Sequence, residues 1–254
     1  MCIRDSGGTE RLRINSSGNL LAGHSSAADS NNKIEISNAF GGRMGFLRSD
    51  TSTAAGNNIG MLSFFGNDSN GTYQETARIS AEADLDHGTD DKPGRLLFYT
   101  TADGASSVSE RLRIDSNGNF IFKNGALIEN GFHDDGGGIS GTYNHDLGTY
   151  GNVHYAATNA ANSFTYNLRI NSSTSVNSVM AEGDTLSFTL ISANNNTARY
   201  MTAFKIDGTT ITPEWSGGSA PSAATGSGFD VYSFTCIKTG NAAFKVFASF
   251  TNHD

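Results

Sequence analysis

Apolar and polar residues alternate along most of the chain, the two-residue period of a half-buried β-strand. No window keeps the i, i+3, i+4, i+7 spacing of an amphipathic helix over three turns. Arg11-Leu12-Arg13-Ile14 sets Leu12 and Ile14 on one face and two guanidinium groups on the other. Ser16-Ser17-Gly18-Asn19 then turns the chain into Leu20-Leu21. The phrase recurs one hundred positions on: residues 10–19 read ERLRINSSGN and residues 110–119 read ERLRIDSNGN. In the second copy Leu112 and Ile114 share a face, Asn117-Gly118 makes the turn, and Phe120-Ile121-Phe122 follows. Asn-Gly between alternating runs is a strong hairpin signal, because both residues accept positive φ. Each copy therefore predicts strand, turn and strand. Internal repetition marks chains whose single unit cannot bury its own apolar face.

Between the copies the same reasoning predicts strands at Lys33–Ser37, Arg43–Arg48, Gly60–Phe65, Thr76–Ala81 and Arg95–Thr100. Turn clusters at Ser49–Asn58, Asn67–Gly71 and Asp84–Gly94 separate them, and Pro93 sits at the start of a strand, where proline is tolerated. From Gly125 to Gly151 the texture becomes glycine-rich. Longer, more aromatic strands follow at Ser163–Ile170, Thr185–Ser192, Tyr200–Asp207, Phe229–Ile237 and Ala243–Phe250. The expected architecture is all-β: an elongated repetitive shaft over residues 7–127, a Gly-rich linker over 128–150, and a small β-sandwich or jelly-roll-like head over 151–254. A thin one-sided sheet needs a partner for its apolar face, and identical chains supply one, so an intertwined homotrimer is expected. The first six residues, MCIRDS, do not fit the repeat language and resemble translated sequencing adapter; they are set aside as a non-native scar, and the chain is expected to be a C-terminal fragment.

Composition agrees with many short strands. Only 17% of residues are charged and 30 of the 254 are glycine, while 16 Phe and 8 Tyr argue against disorder. A net charge of −8 disfavours nucleic acid, which needs clustered Lys and Arg to displace counterions. No apolar run approaches the roughly 20 residues of a spanning helix, so membrane insertion is not expected. Two cysteines, Cys2 and Cys236, do not make a disulfide framework; Cys236 alternates with Tyr232 and Phe234 and reads as a buried thiol.

Candidate chemistry is sparse. Gly136-Gly137-Gly138-Ile139-Ser140-Gly141 formally fits GxGxxG but lacks the preceding strand and following helix of a dinucleotide site. His133-Asp134-Asp135, His145-Asp146 and His154 hold metal-ligand types without a ligating spacing. The acidic loop of Asp84, Asp86, Asp90 and Asp91 lacks the EF-hand pattern. Neither a metal nor a cofactor is expected. Among the carboxylates of the second half, Glu214 beside Trp215 is the most enzyme-like pair, since an aromatic ring can stack a sugar; no catalytic residue is assigned. Tyr143, His145 and Tyr150, in the Gly-rich segment, and Trp215 are the expected receptor-binding residues.

Pro93 to Asn119, PGRLLFYTTADGASSVSERLRIDSNGN, closely resembles the repeat of phage tail-fibre proteins, especially those of marine phages. The first copy and the preceding ARISAEAD belong to the same pattern, which covers about residues 8–125. The resemblance weakens where Phe120–Gly125 replaces the family's Gly-Ile-Gly strand. Glu214 to Pro221 and Gly228 to Phe234 resemble the small terminal domain of cyanophage-type fibres. The resemblance implies a homotrimer with a slender shaft and a distal head that touches the host. It implies a virion protein, made in the host cytoplasm and working outside the cell. Its partners would be a host-surface glycan or protein receptor and, through an upstream region, other tail or baseplate proteins. Nothing here resembles the catalytic pair of the self-cleaving chaperone domain in which many relatives end. The alternatives are a tailspike-like polysaccharide depolymerase and a cellular surface adhesin.

Overall fold

The repeated decapeptide folds twice into the same hairpin. The structure, a computed structural model, describes residues 2–4, 10–23, 26–29 and 31–253, and divides into two units, Met1–Leu127 and Ile128–Asp254. In the first unit β1 (Cys2–Arg4), β2 (Glu10–Ile14), β3 (Leu20–Ala22) and β4 (Ile34–Ile36) form one sheet in that order. A meander of β5 (Asn58–Asn67), β6 (Tyr73–Ala83), β7 (Gly94–Thr101), β8 (Val108–Ile114) and β9 (Phe120–Phe122) forms another. The β2–β3 pairing of Leu12, Arg13 and Ile14 with Ala22, Leu21 and Leu20 matches the β8–β9 pairing of Leu112, Arg113 and Ile114 with Phe122, Ile121 and Phe120.

The turns explain why. Asn15 Oδ1 accepts the backbone N–H groups of Ser17 and Asn19, and Asp115 Oδ1 those of Asn117 and Asn119. Gly18 and Gly118 close the turns with φ of 75° and 82°, the left-handed region a side chain resists. A third turn, Asp68-Ser69-Asn70-Gly71-Thr72 between β5 and β6, repeats the arrangement: Asp68 Oδ1 accepts from Asn70 and Thr72, and Gly71 has φ of 78°. The chain thus uses one hairpin loop, a bonded turn ending in a left-handed glycine, at three places.

Register sorts the meander into two faces. Leu62, Phe64, Ile79, Ala81, Leu96, Phe98, Leu112, Ile114, Phe120 and Phe122 fall on one. Ser80, Glu82, Arg78, Arg95, Leu97, Tyr99 and Arg113 fall on the other. The polar face is the better covered. Arg95 Nη2 donates to Glu82 Oε2 at 2.7 Å, Tyr99 Oη to Glu82 Oε1 at 3.2 Å, and the Arg78 guanidinium lies 4.8 Å over the Tyr99 ring. Arg113 forks onto both oxygens of Glu110 at 2.6 Å. Ser80, Glu82 and Leu97 are buried, whereas Leu62, Phe64, Leu96, Phe120 and Phe122 on the apolar face stand 38–67% exposed.

One expectation for this half needs correction. Arg43–Arg48 forms no strand, because no strand among the described residues offers it a backbone partner; Phe46 instead packs over Gly60, whose missing side chain leaves it room. Cys2–Arg4, within the supposed scar, pairs with β2, while residues 1, 5 and 6 lie outside the described residues.

The second unit begins inside the expected linker. β10 (Phe132–Asp134), β11 (Gly141–Asp146), α1 (Leu147–Tyr150), β12 (Val153–Ala156), β13 (Phe164–Arg169), α2 (Val176–Val179), β14 (Thr185–Ala193) and β15 (Met201–Ile206) come first. β16 (Thr209–Ile211), β17 (Glu214–Trp215), β18 (Phe229–Gly240) and β19 (Ala243–His253) complete it. Residues 128–150 are therefore no linker: they supply two strands, because Tyr143, His145 and Leu147 keep the inward alternation through glycine-rich surroundings.

From β10 to β15 the chain alternates between a six-stranded sheet, β10-β12-β14-β18-β19-β17, and a four-stranded one, β11-β13-β15-β16. β10, β12 and β14 are parallel, as are β11, β13 and β15, so the segment is a two-sheet coil. A jelly roll of antiparallel hairpins is not what forms; antiparallel pairing enters with β16, β18 and β19. The coil carries its own repeat. Thr142-Tyr143-Asn144 lies in register with Thr165-Tyr166-Asn167, 23 positions on. The tyrosine rings stack at 5.5 Å, Asn167 Nδ2 donates to Asn144 Oδ1 at 2.8 Å, and Arg169 pairs with Asp146. Stacked identical side chains are the usual cement of in-register parallel strands. The sheets enclose a core of Tyr166, Leu168, Phe188, Leu190, Phe204, Phe234 and Val246. Cys236 is buried there as expected, which pushes its thiol up to about 12.

Candidate functional site

Three of the four expected receptor residues meet in the interior of the coil. β11 turns Tyr143 and His145 inward, α1 brings Tyr150, β12 adds His154 and β13 adds Tyr166. Tyr150 stacks on Phe132 at 4.1 Å, and the His145 ring stacks 5.3 Å from that of His154. Tyr143 Oη donates to Asp134 Oδ2 at 3.0 Å, and His154 Nδ1 lies 2.6 Å from Tyr166 Oη. His154 Nε2 stands 3.4 Å from Asp134 Oδ2, within Coulombic reach but outside hydrogen-bond geometry. His145 Nε2 meets the Gly151 carbonyl at 2.9 Å.

Both histidines are wholly buried, so His145 offers a receptor nothing; its alternation within β11 is the signal that marks it as core. Tyr143 and Tyr150 are half-buried and committed to the same column. Burial pushes the His145 imidazole below its usual value and the His154 imidazole down to about 4, the neighbouring ring adding to the second shift against the pull of Asp134. Both imidazoles are neutral at pH 7. The column resembles a relay of carboxylate, imidazole and phenol, but its rings fill the space a reactant would need.

The other candidates are likewise held by neighbours. Among the described residues no cluster of three or more His, Cys, Asp or Glu is arranged to hold a metal. In the acidic loop, Asp84 accepts from Ser116 N and Oγ and faces Arg95, which lowers its carboxyl, and Asp86 Oδ1 accepts from Ala55 N. In the Gly-rich hexapeptide, a side chain at Gly138 would collide with the Asn159 carbonyl, so glycine serves close backbone packing there. Asp230 is buried and accepts from Thr225 N, Asn194 Nδ2 and Asn252 Nδ2; burial raises its carboxyl. Exposed Glu214 pairs with Lys245, which lowers its carboxyl, the reverse of what a general acid in glycan cleavage requires.

Trp215 stands apart from the column. β17 is the edge strand of its sheet and runs parallel to β19, pairing Trp215 with Ala248, and Ser216 N donates to the Ala248 carbonyl at 2.7 Å. The indole meets the Phe234 ring edge-on at 6.1 Å, and Phe234 in turn stacks on Phe204 at 4.3 Å. Beside it opens a cleft of about 270 Å³ that Tyr200, Thr210, Thr212, Pro213 and Pro221 also line, with Phe204 at its floor. No Asp, Glu, Lys or Arg lines this cleft. Sequence reasoning named Trp215 but not the companions that β15, β16 and the loop after β17 bring to it.

No protein-family model matches the chain, and no curated protein does. Two solved structures are similar. The carboxy-terminal domain of the bacteriophage T5 L-shaped tail fibre is 13% identical, with a TM-score of 0.30 over 52% of this chain and 67% of that one. The same domain with its intramolecular chaperone domain is 12% identical, with a TM-score of 0.28 over 52% of this chain and 46% of that one. At such scores neither likeness carries weight for function.

Proposed function

We propose that this chain is the distal part of a phage tail fibre, assembled as a homotrimer and adhering to a receptor on the host surface. The observation that carries the reading is the bare apolar face of the β5–β9 meander, on a sheet whose polar face is already tied down by its own ion pairs. Water penalises such a face in proportion to its area, and a continuous patch of this kind marks an association surface. Copies of the same chain packed about an axis cover all such faces at once and hide the strand edges of β5 and β9. The sequence resemblance over Pro93–Asn119 supports the same reading and supplies the number three.

Function then divides between the units. The first assembles the chains; the second, whose core closes within one chain, contacts the host. Three weak contacts per assembly add through effective concentration. The partners are a surface glycan or protein of the host and, upstream, other tail proteins, and the setting is the virion outside the cell. Light scattering on the purified chain at micromolar concentration tests the assembly and should return three times the chain mass of 26.8 kDa. A stable monomer would overturn it. Labelled protein applied to a panel of bacterial cells tests the adhesion, and binding to none of them would count against that half.

A further inference from the structure

Resting on the adhesive reading, we infer that the Trp215 cleft is the receptor site of the second unit and that its ligand is an uncharged sugar ring of a surface glycan. An indole, a phenol and two proline rings supply rigid apolar walls, and no charged side chain lines the cleft to select an ion. At about 270 Å³ it falls just below the range of drug-sized ligand sites, about 300 to 1,000 Å³, so it accepts one ring of a chain and not an extended segment.

The hydroxyl inventory narrows the class further. Thr202, also at the cleft, uses its Oγ1 to donate to the Phe164 carbonyl at 3.1 Å. Tyr200, Thr210 and Thr212 use their side-chain hydroxyls in no hydrogen bond among the described residues, and Thr210 and Thr212 are exposed. Three unspent groups, each able to donate and accept, therefore border one aromatic wall. A pyranose matches both parts: its axial C–H face suits the electron-rich face of an indole, and its equatorial hydroxyls suit donor–acceptor groups at the rim. A sialic or uronic acid would bring a carboxylate with no cation to meet it.

The site is built on rigid elements. Trp215 is fixed by the β17–β19 ladder and by Phe234, Thr210 lies in the β15–β16 hairpin, and Pro213 stiffens the step from β16 to β17. A preformed site loses little freedom on binding, which suits weak contacts that gain by multiplication.

The chain has a single tryptophan, so its emission reports this cleft alone. The test titrates the full chain with the methyl glycosides of glucose, galactose and mannose, with N-acetylglucosamine and N-acetylgalactosamine, and with sialic and glucuronic acid. Trp215 emission and saturation-transfer NMR are followed together. At least one neutral sugar should shift the emission and receive saturation, and the acids should do neither. Thr210→Val and Thr212→Val, at exposed positions that do not threaten the fold, should each weaken that sugar about tenfold. Trp215→Phe should abolish its saturation transfer. Response to no neutral sugar, response to the acids alone, or equal affinity in both threonine variants would overturn the assignment. Cell binding separates this from the adhesive reading. If the wild type and all three variants bind cells equally, the cleft is not the receptor site and adhesion stands; if the wild type binds no cell, both fall.

Discussion

The two units spend similar residues on opposite arrangements. In the first, the meander buries Glu82 and Ser80 and leaves Phe64, Leu96, Phe120 and Phe122 in the open. In the second, two sheets face one another, and Tyr166, Phe188, Leu190, Phe204 and Phe234 vanish between them. One region leaves its apolar row bare and the other covers its own. Alternation alone does not decide which: β7 and β14 both present an apolar row, but only β14 finds a second sheet of its own chain to pack on.

Leu96→Asp should have the largest effect, because it sets a charge in the middle of the bare face of every copy. Light scattering should show the trimer lost, while Trp215 emission, which belongs to the second unit, stays native; a trimer that survives would break the contrast. Phe188→Ala should do the reverse. Removing a fully buried ring from the core costs about 3–5 kcal/mol, so the second unit should unfold at lower denaturant concentration with the assembly mass unchanged.

Acid should also distinguish the units. His154 titrates near 4 when folded and near 6.5 when unfolded, so its contribution is whole above pH 6.5 and fades as pH falls toward 4. The loss amounts to roughly 3 kcal/mol for this buried group. Asp230 opposes it, since a raised carboxyl favours the fold at lower pH. Denaturation followed by Trp215 emission should therefore show a lower midpoint at pH 4.5 than at pH 7.5, and His154→Phe should flatten the difference. The smallest effect belongs to the shared turn. Asp115→Ala, Asp68→Ala and Asn15→Ala each remove an acceptor of two backbone N–H groups and should each lower, nearly alike, the midpoint of thermal unfolding of the first unit.

What was legible in the sequence followed from local chemistry. Asn15, Asp115 and their glycines announced hairpins because turn geometry depends on a few adjacent residues, and the long strands β14, β18 and β19 lie close to where alternation placed them. The coil was not legible in that way. Its pairing joins Phe132 to His154 and Thr142 to Thr165, partners 22 and 23 positions apart, and parallel register leaves no turn signature between them. The signal lay instead in Thr-Tyr-Asn written twice, at 142–144 and 165–167, which the glycines around it concealed. For the same reason His145 read as a loop residue and Trp215 only as the neighbour of Glu214, since the partners of each come from distant strands.

The in-register tyrosines and asparagines of the coil set a rule for how such a protein can change its length. One complete turn of 22 or 23 residues, added or removed between β11 and β13, leaves every remaining ladder with a neighbour of the kind it had before. A one-residue insertion within a strand of the coil turns the later side chains of that strand to the other face, whereas loops absorb extra length, as the next turn of 36 to 38 residues does. Descendants of this chain can therefore grow or shrink in whole turns, at a site where the backbone itself counts the increment.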